Sequence, residues 1–136
     1  MSMYNPYEQY KQTQVATASQ GSLILMLYDA ALRNLRIAVQ SIKNKKVNEA
    51  HRALIKCQDI IMELNLSLNM DSGEMAENLR SLYVYIHERL IEANVHKDIK
   101  ILEEIIALLS GLHEAWDTII RKGKPMSPTG GVNSGV

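Results

Sequence analysis

The sequence predicts an all-α fold: an antiparallel up-down-up-down four-helix bundle with a short N-terminal helical arm and a flexible C-terminal tail. Three observations lead there. The six residues from Leu23 to Tyr28 are all apolar or aromatic, so on a helix they point apolar groups in every direction and must be enclosed. That run is far shorter than the roughly 20 residues a membrane span takes, so it belongs in a core. Four stretches repeat apolar residues every three or four positions, and the turns between them are short, as antiparallel neighbours require.

The chain of 136 residues is expected to be one domain, since domains hold about 100–200 residues. An N-terminal arm covers 1–18, the bundle 19–122 and the tail 123–136. In the arm, Asn5-Pro6 suits a cap followed by a first helical residue. Tyr4, Tyr7 and Tyr10 then fall roughly on one side of a short turn. Two readings stay open: a capping turn packed on the core, or a removable lid over a binding groove.

The first long helix is expected after Ser19 and runs to about Lys43. Ile24, Ala31, Leu35, Ala38 and Ile42 form its stripe, and Lys43 to Lys46 make a charged turn. The second runs from Val47 to Leu68 on the seam Val47, Ala50, Leu54, Cys57, Ile61, Leu64, Leu68. Ile55, Ile60, Met62 and Leu66 lie beside that seam and widen the apolar face. Residues Asn69 to Gly73 turn the chain, with Asp71 or Ser72 as cap and Glu74 and Glu77 suiting the helix dipole.

The third helix follows Met75, Leu79, Leu82, Ile86, Leu90 and Ala93, with Tyr83, Tyr85 and Ile91 flanking, and is expected to stop at a left-handed Asn94. The fourth begins near Asp98 on Leu102, Ile105, Leu109, Leu112, Trp116 and Ile119. Gly111 interrupts it at a cost of about 1 kcal/mol against Ala, which a close helix crossing would explain. Gly123 ends it.

Composition narrows the function. Lys plus Arg and Asp plus Glu both number 15, so the basic stripe of a phosphate-binding, nucleic-acid protein is missing. Cys57 is the only cysteine; no intrachain disulfide can form, and a reducing cytosol suits the chain. Its place on a seam makes it a small buried apolar residue rather than a catalytic thiol. The first residues lack the charged-then-apolar pattern of a secretory signal, so Sec-type export is not expected.

Chemistry is sparse. No Glu is followed three residues later by His, as a di-iron bundle needs, and His51, His87, His96 and His113 lie on separate segments, each read as a partly exposed surface residue. Glycine phosphate loops, Gly-x-Ser-x-Gly and Cys-x-x-Cys are absent. Asp29 is either a buried acid or an edge residue bonded to the arm or to solvent. No catalytic, metal or cofactor site is expected.

What remains is apolar surface beyond one stripe per helix, which marks a partner surface. An amphipathic helix laid into a groove is the fitting mode. A self-associating bundle, or a weak homodimer, would use the same surplus.

The string from Asn5 to Val15, with Thr17-Ala-Ser19 and Leu23 to Asp29, resembles the flagellar secretion chaperone family of FliS type. The likeness continues through Cys57 to Leu64, Asn78 to Tyr83, Leu90 to Asn94 and Glu114 to Trp116, and covers about residues 4–120. Gln20, Ser22 and Ala30-Ala31 depart from the usual pattern at the first helix. The resemblance implies a cytoplasmic four-helix chaperone that binds the disordered C-terminal segment of flagellin. It implies too that premature polymerisation is blocked and that the client is delivered to the flagellar type III export apparatus. The export gate and an anti-sigma factor are further partners to consider. The groove is expected to use Leu23, Leu27, Ile55, Ile60, Met62, Leu66, Tyr83 and Ile86. Tyr7, Tyr10 and Val15 would form an N-terminal lid over it.

Overall fold

A computed structural model describes residues 20–122. The arm and tail assigned above lie outside the described residues. Four helices account for almost all of this span: α1 (Gln20–Lys43), α2 (Val47–Leu66), α3 (Glu74–His96) and α4 (Ile99–Lys122), with a 3-10 turn at Met70–Ser72.

Each helix is held by two neighbours. α1 packs on α2 and α4, and α3 packs on the same two, while α1 and α3 face one another across the core without close backbone approach. Side-chain pairs give the directions. Gly21 lies against Ile120 and Asp29 against His113, so α1 and α4 run in opposite senses. His51 Nδ1 and Asn94 Nδ2 are 3.0 Å apart near one end of the α2–α3 pair, and Met62 and Val84 line one cavity further along it. Between α3 and α4, Arg89 and Tyr85 both reach Glu104, at 2.9 and 2.6 Å.

The core is mostly aliphatic, with two tyrosines and, in a chain without Phe, no phenylalanine. Leu35, Leu54, Ile61, Leu64, Ile86, Leu90, Leu102, Ile105 and Leu109 are enclosed from all four helices. Cys57 is among them, its thiol donating to the Ala31 carbonyl at 3.4 Å. Burial pushes that thiol up to about 12, which keeps it protonated and inert at neutral pH. At the centre, Tyr28 and Tyr83 share a 2.7 Å hydrogen bond across the diagonal. Two buried hydroxyls thus satisfy each other.

Four expectations need correcting. α2 ends at Leu66, two residues early, because Ser67 closes it and Leu68 N–H turns back to Asn65 O at 3.3 Å. α3 passes through Asn94 and ends at His96, with Lys97 taking the left-handed position at φ 52°. Asn94 is buried and engaged with His51 and with Lys97 Nζ, so its side chain links helices instead of ending one. No side chain caps α3, whose N-cap is Gly73 at φ 79°; the capping side chain belongs to Asn69 and serves the 3-10 turn. Gly111 faces open space, whereas a Cβ on Gly21 would stand 2.6 Å from Ile120 Cγ1. The close helix crossing is therefore at Gly21, where α1 begins against the end of α4.

Candidate functional site

A helix in a four-membered ring buries the arc that faces its two neighbours. On α2 that arc holds Ala50, Ala53, Leu54, Cys57, Ile61 and Leu64. Ile55, Met62 and Leu66 repeat at intervals of seven and four and fall outside it, on the edge toward α3. Leu66 is 77% exposed and Met62 51%. On α3 the buried arc holds Leu79, Tyr83, Ile86, Leu90 and Ala93. Val84, Ile91 and Val95 fall outside it, on the edge toward α2, and Val95 is 71% exposed.

The antiparallel register set by His51 and Asn94 brings these two lines face to face. Counting one residue down α2 for each one back along α3, Ile55 comes opposite Leu90, beside Ile91. Met62 and Val84 meet at a shared cavity of about 220 Å³. The result is a shallow apolar groove along α2–α3, with His51 and His87 at its sides. Exposing this many large apolar groups in two facing lines has no structural return within the bundle; it is the form of a partner site.

A second cavity, of about 180 Å³, sits at the far end of the bundle between Ile24, Leu64, Leu68, Met75, Leu79 and Trp116. It borders Gln20, where the described residues begin. Trp116 Nε1 is buried and, among the described residues, has no partner at full hydrogen-bond geometry, although the ring nitrogen lies close enough to the Tyr28 and Tyr83 hydroxyls to affect both. A third apolar line, Leu23, Met26 and Ile37, runs along the outer side of α1.

The residues expected from sequence therefore divide. Ile55, Met62 and Leu66 come together in the α2–α3 groove. Leu23 is exposed, but on α1. Leu27 and Ile60 are partly buried and pack on the core. Ile86 is corrected: at 0% exposure it is a core residue. Tyr83 is almost wholly enclosed at 1% exposure, yet it lines the cavity that Met62 and Val84 share. Both sit on the inward arc of α3, and Tyr83 is committed to Tyr28. Burial first, then the neighbouring Tyr83, raises the Tyr28 hydroxyl well above its usual range, and burial raises that of Tyr83. Neither is suited to acid–base work near neutrality. Tyr7, Tyr10 and Val15 lie outside the described residues. Sequence reading missed Val84 and Val95. Their signal was there, since residues 84, 88, 91 and 95 share an edge of a helix, but Glu88 interrupts the apolar line.

Asp29 is an edge residue, and among the described residues its partner is His113 Nε2 at 2.9 Å. Among the described residues no cluster of His, Cys, Asp or Glu could hold a metal ion, and no helix is long and apolar enough to cross a membrane.

Residues 3–123 match the family model described as Flagellar protein FliS, nearly the whole chain. The chain belongs to the FliS family. Among its relatives is the flagellar secretion chaperone FliS of Bacillus subtilis, 36% identical over 133 residues that cover 97% of this chain and 99% of the relative. The flagellar secretion chaperone FliS of Salmonella typhimurium is 37% identical over 114 residues, covering 82% of this chain and 84% of that one. A flagellar secretion chaperone of Pseudomonas aeruginosa, FliSB, is 34% identical over 117 residues, covering 82% and 93%. Relatives of this FliS chain are thus named as chaperones, a non-enzymatic class. A binding surface, not a reaction centre, is the site to look for in it.

Proposed function

We propose that this chain is a cytoplasmic export chaperone that holds the C-terminal segment of flagellin in the α2–α3 groove. Held there, the segment is kept from polymerising early and is presented to the flagellar type III export apparatus. The observation that carries this reading is the pair of facing apolar lines, Ile55, Met62 and Leu66 against Val84, Ile91 and Val95, left exposed by the bundle. Relatives named as flagellar secretion chaperones supply the class of client.

The groove follows α2 from Val47 to Leu66, roughly 28 Å at about 1.5 Å per residue. That length suits an amphipathic client helix of about five turns. Ordering a disordered segment costs about 2–5 kcal/mol or more. The complex can then be specific and still releasable without nucleotide chemistry in the chaperone. On this reading Tyr7, Tyr10 and Val15 compete with the client for apolar surface.

Calorimetric titration of the full chain with the C-terminal segment of flagellin from the same organism tests it. Saturable one-to-one binding with a large negative heat-capacity change is the expected result. It should weaken strongly in Met62→Lys and Ile91→Lys variants that keep their helical circular dichroism. A folded chain that shows no heat with the segment would refute the client. Light scattering would then ask whether the same groove joins two copies.

A further inference from the structure

Charge is even over the whole chain, with 15 basic and 15 acidic residues, but it is not evenly placed. Between Leu32 and Cys57 stand Arg33, Arg36, Lys43, Lys45, Lys46, Arg52 and Lys56, against Glu49 alone. The whole-chain balance thus hides a basic surface that reading by totals missed. All these cations are exposed, and none enters an ion pair among the described residues. The α1–α2 hairpin gathers them at one end of the bundle. The Cys57 thiol on the Ala31 carbonyl fixes the register of the two helices. It sets Arg36 level with Arg52 and leaves every one of the cations within roughly 15 Å of the tip, at about 1.5 Å per residue. The α3–α4 turn at the same end adds Lys97 and Lys100 against Asp98, while Asp59, Glu63, Asp71, Glu74 and Glu77 lie toward the other end. Outside the described residues the sequence has a single acid, Glu8, too little to neutralise the cluster. Like charges so close repel one another and give the free bundle nothing in return.

Two aliphatic side chains stand among the cations. Val47, 55% exposed, follows Lys46 at the tip, and Ile37, 46% exposed, follows Arg36. No aromatic residue occurs between Tyr28 and Tyr83, so the surface lacks the stacking platforms that single-stranded nucleic acid uses. Cations with exposed aliphatic groups between them suit the boundary of an anionic bilayer, where Lys and Arg meet headgroups and apolar side chains enter the acyl margin. We propose that the tip of the α1–α2 hairpin docks on an anionic phospholipid surface. The chain lies on the bilayer and does not span it, since no described helix is long and apolar enough to cross one. The attraction adds up cation by cation and is screened beyond about 8 Å at physiological salt, so the hold is weak and reversible. The α2–α3 groove lies on the other edge of α2, and a docked chain keeps it open. The inference does not depend on what that groove binds.

The test is co-sedimentation of the full chain, without client, with vesicles of phosphatidylcholine alone or mixed with phosphatidylglycerol. Capture is expected on the mixed vesicles only. It should fall about tenfold or more as salt is raised toward 1 M, where the Debye length is about 3 Å. Lys45→Gln with Lys46→Gln should weaken it about tenfold or more. Arg80→Gln with Arg121→Gln, which removes the same charge at the other end, should leave it near wild type. Val47→Ser, which keeps every charge, should weaken it severalfold. All variants are checked for helical circular dichroism. No capture of the folded wild type on mixed vesicles at low salt overturns the proposal, and so does equal weakening by the two charge pairs. Full capture by Val47→Ser, or tighter salt-dependent binding to single-stranded RNA than to the vesicles, makes the tip a general polyanion surface and overturns the lipid assignment.

Discussion

Ile86 and Met62 offer the sharpest contrast between core and groove, because both were expected from sequence to line the same surface. Ile86 is wholly enclosed and Met62 is half exposed. Changing Ile86 to Ala removes three carbons, a transfer loss of roughly 2.4 kcal/mol at about 0.8 kcal/mol each. A residual void of about 50 Å³ would add roughly 1.2 kcal/mol at about 24 cal/mol per Å³. The sum, about 3–4 kcal/mol, is a large part of the 5–15 kcal/mol typical of a domain. For a bundle of this size it lowers Tm by roughly 12 °C or more. Met62→Ala takes away atoms that water already reaches and should cost about 1 kcal/mol or less. Urea unfolding followed by far-ultraviolet circular dichroism measures both, and client titration measures the converse. Ile86→Ala should bind normally under conditions where it is folded, and Met62→Ala should bind weakly. Equal destabilisation by the two changes would refute the division into core and groove.

Other consequences can be checked on the free protein. Tyr83→Phe leaves the Tyr28 hydroxyl in the core without its 2.7 Å partner, and should cost about 1–3 kcal/mol in urea. Adding Tyr28→Phe should restore part of that loss. Gly111→Ala, whose new methyl meets only open space, should raise stability by about 0.5–1 kcal/mol. Gly21→Ala should lower it, since Ile120 stands in the way. The Cys57 thiol is raised by burial from 9.0 to about 12, so the unfolded chain sheds that proton first. Its contribution to stability is complete below pH 9 and is lost as pH rises from 9 toward 12. Urea midpoints at a series of pH values should fall across that window, and Cys57→Ala should remove the part of the fall that begins at pH 9.

Much of the fold was legible because it depends on periodicity. Tyr28, Leu35, Leu54, Cys57, Ile61, Leu90, Leu102, Ile105 and Leu109 were placed on seams or in the enclosed run by spacing alone, and all are buried. The spacing of single helices could not say which neighbour each edge meets. Ile55 and Ile60 are both flanking residues in sequence, yet only Ile55 faces the α2–α3 groove, while Ile60 packs against the core. The burial of Tyr83 escaped the sequence for another reason. A tyrosine beside a seam reads as a surface aromatic with its hydroxyl in water, and nothing local reveals a second tyrosine 55 residues away that satisfies it. Asn94 failed likewise, since its long-range bond to His51 outweighs the local tendency of Asn to end a helix. Gly111 and Gly21 look alike in sequence, and only packing distinguishes a close crossing from an open face.

The methionines provide the most direct test of the central claim, that the client lies along α2–α3. Met62 stands in that groove and Met26 on the outer side of α1. With methyl-labelled methionine in the full chain, the flagellin segment should shift the Met62 methyl resonance on titration. Labelled Val and Ile methyls should place Val84, Ile91 and Val95 in the same perturbed set. Saturable binding that leaves Met62, Val84, Ile91 and Val95 unmoved would put the client on another face and contradict the account.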